Sequence, residues 1–211
     1  ENLAQRTPLV MLGRHDDSVY YDTIVDDDIE GARLAVRHLH DLGHRDIVHL
    51  TINPEAEDHL ATAPHAVRSR GYELAMAELG LEDRTRVVHV EPNEVGARET
   101  SLELLREEHR PTAIFAGHDE LALGVLQAIA ELGLSAADVS VIGYDDTDIA
   151  AHPLVSMSSI NQSGTRMGEI VVGLLLERIA GRTTPVHEVI TPKLMARNTT
   201  APVSGSAPEP R

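Results

Sequence analysis

From Ile47 onward, short apolar runs take turns with amphipathic stretches at helical spacing, and this alternation restricts the fold more than any other feature of the chain. The strand-like runs are IVHLT (47–51), RVVHVE (86–91), TAIFA (112–116) and VSVIGY (139–144). Between them the spacing predicts helices over 66–79, 94–108 and 119–132, with apolar residues three and four apart such as Leu121, Val125, Ile129 and Leu132. Gly43, Gly80 and Gly133 each follow a helical run, where a left-handed C-terminal cap is wanted. Strand and helix repeating in this way imply right-handed crossovers, hence an α/β fold with a parallel sheet covered on both faces.

The ends of the chain read differently. A strand-like PLVMLG (8–13), a short DTIV (22–25) and a helix over 28–42 precede the alternation, the helix turning Ala32, Ala35, Val36, Leu39 and Leu42 inward. A long helix over 163–180 and a strand pair around 186–197 follow it. The Pro-, Ser- and Ala-rich tail from Ala201 is expected to be disordered. One or two βα units cannot cover both faces of a parallel strand, so the opening strand is expected to find its partners upstream of Glu1.

Composition excludes several function classes. The 211 residues carry 18 basic and 34 acidic side chains, a formal charge of −16, which is unsuited to replacing counterions on nucleic acid. No apolar run approaches the ~18 residues of a membrane span. With no cysteine, disulfides, thiolate metal sites and thiol nucleophiles are excluded. The acids Asp16, Asp17, Asp22, Asp26, Asp27, Asp28 and Glu30 lack the spacing of a calcium loop and fit a helix N-terminus. His40 and His44 are four apart, but Gly43 interrupts the helical face they need to share, so no metal site is expected. No phosphate loop and no nucleophile elbow occur, and nothing marks an enzyme or a resident cofactor.

Ligands of open parallel sheets bind outside the carboxyl ends of the strands. That rule selects Asn53, the turn from Glu91 to Asn93, the turn Gly117–His118–Asp119, and Tyr144, Asp145 and Asp146, with Arg68 and Arg70 just inside the helix after the first of these strands. These polar groups suit a small polyhydroxylated ligand. Asp119 fits a helix N-cap as well as a ligand contact, Asp145 and Asp146 fit the opening of a turn as well as a binding site, and Arg68 fits a solvated surface as well as a donor fork.

The runs RLAVRHLHDLGHRDIVHL (33–50), RSRGY (68–72), RPTAIFAGHDELALGVLQAIAELGL (110–134), DVSVIGYDDTDIAAHPLVSMSSINQ (138–162) and MGEIVVGLLLERIAG (167–181) resemble the effector-binding core of the lactose-repressor/galactose-repressor (LacI/GalR) family of bacterial transcription regulators. The likeness extends in order from about Pro8 to Thr200. It implies a class I periplasmic-binding-protein-like fold of two doubly wound parallel-sheet subdomains, the N-terminal one incomplete here. On that pattern residues 1–45 form part of the N-terminal subdomain and 46–160 the C-terminal one. The helix of 161–185 returns to the first, 186–200 return to the second, and 201–211 form the tail.

The resemblance also assigns roles. Arg68, the arginine of R-x-x-G-aromatic, is expected to reach ligand hydroxyls, Asp145 in the GYDD turn to accept from them, and Gln162 to face the cleft. His118 stands where relatives carry Asn, and Glu91 near where they place a stacking aromatic, so both depart from a purely sugar-like pocket. Glu30 joins these as a candidate ligand contact, while Asp119, Asp146 and Ser159 are expected to be structural or hinge residues. The implied partners are a small polar effector and operator DNA, the latter held through a helix-turn-helix head upstream of this chain, in a cytoplasmic homodimer with no membrane contact. An extracytoplasmic solute-binding protein of a sugar transporter is the alternative with the same fold, and the GYDD and GHDELALG segments favour the regulator.

Overall fold

Every residue of β3 (Ile47–Ile52) is buried, as a strand covered on both faces requires. The computed structural model describes residues 6–52 and 62–203. Its other elements are β1 (Val10–Leu12), β2 (Asp22–Asp26), α1 (Asp28–Asp41), α2 (Pro64–Glu78), a 3-10 turn (Glu82–Arg84), β4 (Arg86–Val90), α3 (Glu94–Leu104), β5 (Ala113–Ala116), α4 (Asp119–Glu131), β6 (Ser140–Asp145), α5 (Asp148–Ala151), β7 (Ser158–Asn161), α6 (Gly164–Ile179), β8 (His187–Ile190) and β9 (Lys193–Met195).

The larger sheet has the order β4-β3-β5-β6-β7-β9, parallel except for β9, which runs antiparallel to β7. One face packs Val48, Leu50, Ile114 and Val141 against Ala97 and Leu104 of α3 and Leu121, Val125 and Ile129 of α4. The opposite face packs Ile47, Phe115, Ile142 and Tyr144 against α1 and α2. The small sheet, β1-β2-β8, is parallel throughout and packs Ile24 against Met167 and Leu174 of α6. Asp22, wholly buried on β2, accepts from Arg178 Nη2 at 2.8 Å and Arg182 Nη2 at 2.6 Å, tying α6 and the loop beyond it to this sheet.

Strand β1 lies at one edge of the small sheet and pairs there with β2. Three expectations change. Helix α1 lies on the larger sheet rather than with residues 1–45 as a unit, because its stripe of Ala32, Ala35, Val36 and Leu39 fits between α2 and that sheet. Strand β8 stays beside β2 in the small sheet, the pairing that lets β2 bury all five of its residues, and only β9 returns to the larger one. The tail is ordered through Val203: Ala201 N–H donates to Ser140 Oγ at 2.9 Å and Val203 N–H to the Leu42 carbonyl at 2.9 Å. Asn53 and residues 204–211 lie outside the described residues.

Candidate functional site

At the carboxyl ends of β3, β5 and β6 the chain buries a guanidinium. Arg68, on the first turns of α2, is 4% exposed. Its Nε donates to Asp28 Oδ1 at 2.6 Å and its Nη1 to the Gly117 carbonyl at 2.7 Å, while Nη1 also lies 3.8 Å from Asp145 Oδ1. The guanidinium carbon sits 3.7 Å above the centre of the Tyr144 ring, a cation–π contact away from water. Tyr144 in turn donates its hydroxyl to Asp26 Oδ2, linking β6 of the larger sheet to β2 of the small one. That ring needs Gly31, because a Cβ there lands 2.1 Å from the Tyr144 oxygen.

Two acids therefore flank one arginine, Asp28 at the start of α1 directly and Asp26 at the end of β2 through the Tyr144 hydroxyl. Asp27 caps α1 by accepting from the Glu30 N–H at 3.0 Å, which leaves Asp26 and Asp28 pointing elsewhere. Asp28 shares its second oxygen with His15 Nε2 at 2.6 Å. Burial and the neighbouring Asp28 hold the Asp26 carboxyl above the usual carboxylate range, while the Tyr144 hydroxyl opposes them.

The GYDD turn carries backbone strain. Asp145 has φ 106° and Asp146 φ 51°, values that residues with a side chain seldom adopt. Gln162 donates to Asp145 Oδ1 across the turn. Burial pushes the Asp145 carboxyl up to about 6 against the pull of Arg68. A pocket of about 480 Å³ opens beside it, lined by Asp145, Asp146, Asn161, Ser163 and the first residues of α6.

Around this turn the remaining polar residues are occupied by one another. Asp119 is neither the N-cap of α4 nor a free acceptor: Oδ1 accepts from Ser159 Oγ at 2.7 Å, and Oδ2 from the Thr147 N–H and hydroxyl at 2.8 Å each. Gly143 has no Cβ because one there falls 2.3 Å from Asp119 Oδ1. Asp146 accepts from Asn161 Nδ2 at 2.7 Å and pairs with Arg197 Nη1 at 2.6 Å, and its N–H donates to Ser159 Oγ at 3.0 Å. These bonds make one brace of β6, β7 and α4.

The cap position of α4 belongs to His118, whose ring meets His65 edge-to-face at 5.7 Å. Burial lowers both imidazoles, His65 to about 4 with the Arg68 charge adding to the effect, so both are neutral at pH 7. Beneath Gly117, the buried hydroxyl of Thr51 at the carboxyl end of β3 lacks a hydrogen-bond partner, as does Nδ1 of His65.

Of the residues expected at the site, Arg68, Asp145 and Gln162 come together, and His118 stands near them at the head of α4. Glu91 is exposed at the end of edge strand β4, its backbone beside Gly96. Glu30 reaches along α1 to Arg37 at 3.5 Å in an exposed ion pair. Neither is among the groups that hold Arg68. The strand-end rule reaches Tyr144, whereas Asp26, Asp28, His15 and His65 are not among the expected site residues, although His65, three residues before Arg68 on one helix face, carries a readable signal. Among the described residues no group of three or more His, Asp and Glu side chains fits a metal ion, and no helix is long and apolar enough to cross a membrane.

Residues 36–200 match the family model of the periplasmic binding protein-like domain. The chain is 34% identical over 190 residues to the HTH-type transcriptional repressor PurR of Glaesserella parasuis serovar 5 (strain SH0165), a match covering 89% of this chain and 54% of that protein. It thus spans about half the length of the curated relatives it matches. The crystal structure of a LacI transcriptional regulator from a Rhodococcus species superposes with a TM-score of 0.87 at 36% identity, covering 96% of this chain and 73% of that one. A LacI family transcriptional regulator from Enterococcus faecium with bound ribose superposes with a TM-score of 0.82 at 27% identity, covering 93% and 71%. With this fold and these relatives, the chain belongs to the LacI/GalR family and is built on that family's periplasmic-binding-protein-like core.

Proposed function

We propose that this chain is the effector-sensing core of a transcriptional regulator, binding a small hydroxyl-rich ligand at the Arg68–Asp145 crevice and coupling that binding to operator DNA. The observation that carries this reading is the placement of Arg68 and Asp145. They form a donor and an acceptor 3.8 Å apart at the strand ends of a parallel sheet, Arg68 from helix α2 and Asp145 from a turn with positive φ. The ribose held by the Enterococcus faecium relative supports a sugar as the ligand class, and the repressor relatives favour a regulator over an exported solute-binding protein.

The link Asp26–Tyr144–Arg68–Asp28 joins the strand-end crevice to the small sheet, so a ligand that competes for Arg68 or Asp145 biases how the two sheets sit together. DNA contact belongs to a helix-turn-helix head outside these residues, since −16 suits no polyphosphate partner. The regulator acts in the cytoplasm as a homodimer and catalyses no reaction. The test is a mobility-shift titration of the intact gene product on its own promoter with and without ribose. The reading expects a ribose-dependent change in DNA affinity that Asp145→Ala abolishes while DNA binding itself persists. DNA binding that ignores ribose, or that fails together with the Asp145 side chain, contradicts it.

A further inference from the structure

Two histidines near the carboxyl end of α1, His38 and His44, lie away from the crevice and grip residues 200–203. The Ala201 carbonyl can only accept, so His44 Nε2, 3.0 Å from it, carries the ring proton and donates. Nδ1 is then the acceptor of the Thr112 hydroxyl at 3.1 Å, which fixes one neutral tautomer. Ser140 Oγ lies 3.0 Å from Nε2 and accepts from the Ala201 N–H at 2.9 Å. His38 Nε2 meets Thr200 Oγ1 at 2.9 Å, and the Val203 N–H donates to the Leu42 carbonyl at 2.9 Å. The residues just before are anchored by bonds that hold no titratable group. Thr199 Oγ1 accepts from the Ser158 N–H and donates to the Val141 carbonyl, at 2.8 Å each, and the Asn198 N–H donates to the Ser156 carbonyl at 2.9 Å.

A second proton on His44 fits this arrangement poorly. The Thr112 hydroxyl has to turn toward the Asp46 carbonyl at 3.4 Å, and the new charge sits on a residue that is 1% exposed. Arg45 and His38, the charged groups facing the ring, both oppose it, and Asp46 on the Thr112 side is engaged by Arg84 at 2.7 Å. At His38 the nearby Asp41, itself 3.8 Å from His40, favours protonation, but burial outweighs it. Both rings are thereby held below their ordinary value of 6.5, and lifting residues 200–203 gives water access to them.

We propose that residues 200–203 form a proton-released strap: neutral His44 and His38 clip it down, and protonation of the two rings frees it while the sheet beneath stays folded. The clip is at full strength above about pH 6.5 and weakens as the pH falls below that value, because the rings bind protons more readily once the strap is open. Val203 and Thr112 also line a cavity of about 600 Å³ at the amino ends of β3, β5 and β6, so release of the strap removes one wall of it.

Amide hydrogen exchange of the intact gene product at pH 7.5 and pH 5.5, corrected for the intrinsic pH dependence of exchange, tests the strap. A ring freed to its ordinary value takes up a proton over this interval and favours opening by up to about tenfold per histidine. The Ala201 and Val203 amides should therefore lose about threefold to hundredfold in protection, while those of Asn198 and β5 hold theirs within about twofold. His44→Gln keeps an N–H for the Ala201 carbonyl but takes up no proton, so most of the pH response should vanish. Ring-nitrogen NMR of the wild-type protein reads the same proton without a substitution, and should show His44 protonating at the pH where the Ala201 amide opens. Unchanged protection of Ala201 and Val203 at pH 5.5, a loss shared equally by the β5 amides, a full response retained in His44→Gln, or a His44 ring protonated under a closed strap overturns the proposal.

Discussion

Replacing Asp28 by asparagine leaves a guanidinium buried with most of its counter-charge gone. Arg68 is 4% exposed and the Asp28 side chain is fully buried, so neither water nor salt compensates the loss. Breaking one side of a buried ion pair costs about 3–5 kcal/mol. Three contacts survive in Asp28→Asn: the Gly117 carbonyl at 2.7 Å, the Tyr144 face at 3.7 Å and Asp145 at 3.8 Å. The amide oxygen also still accepts from Nε, which places the cost at the low end, about 3 kcal/mol. For a domain of this size that corresponds to a fall of roughly 6–12 °C in melting temperature. Urea unfolding reads it as a lower midpoint at constant m-value. Adding Arg68→Met removes the stranded charge, and the double variant should recover at least about half of the loss through a coupling term. An Asp28→Asn variant within about 0.5 kcal/mol of wild type, or a double variant no better than the sum of the singles, refutes the claim that these two groups form a mutually dependent buried pair.

Other substitutions test the surrounding parts. Asp145→Asn should stabilise the chain at pH 7 while weakening ribose binding. A carboxyl raised to about 6 by burial gives stability that is present below about 4 and lost as pH rises through 6, so urea midpoints of wild type and variant should converge between pH 6 and pH 4 and part above it. Asp22→Asn leaves the buried Arg178 without its carboxylate while Arg182 keeps Glu177 at 2.9 Å, and should cost about 3 kcal/mol, seen as early proteolysis of α6. Because those two arginines hold the Asp22 carboxyl below its usual range despite its burial, that stability is present above about pH 4 and lost as pH falls further. Gly31→Ala should cost about 2 kcal/mol by forcing the Tyr144 ring aside, and Tyr144→Phe in the same chain should recover part of it by removing the oxygen 2.1 Å from the new Cβ.

How far the sequence could be read depended on the range of each interaction. Strands β3, β5 and β6 are legible because strands buried on both faces need continuous apolar runs, and IVHLT, TAIFA and VSVIGY are such runs. Helix α1 is legible as an amphipathic helix, but a stripe of Ala32, Ala35, Val36 and Leu39 states only that one face is buried. Its packing on α2 was decided by a partner about forty residues away. Strand β8 has three exposed residues and no apolar signature, so only its register against Thr23–Asp26 assigns it to the small sheet.

The site divides along the same line. The strand-end rule finds Asp145 because the rule concerns the carboxyl end of one strand. It cannot find Asp28, forty residues before Arg68, nor Asp26, which meets Tyr144 across the two sheets. The run of Asp26, Asp27 and Asp28 reads as a helix N-terminus, and for Asp27 that is its geometry. Its two neighbours are turned by the same helix start into the crevice, where an acid is costly unless paired.

The central claim is that the Arg68–Asp145 crevice holds the effector, and calorimetric titration of ribose into wild type and Asp145→Ala tests it most directly. Losing hydrogen bonds to a charged acceptor is worth about 1.5–3 kcal/mol. The account therefore predicts saturable binding to wild type and an affinity roughly tenfold to hundredfold weaker in the variant. Equal affinities for the two proteins contradict it and move the ligand away from the GYDD turn.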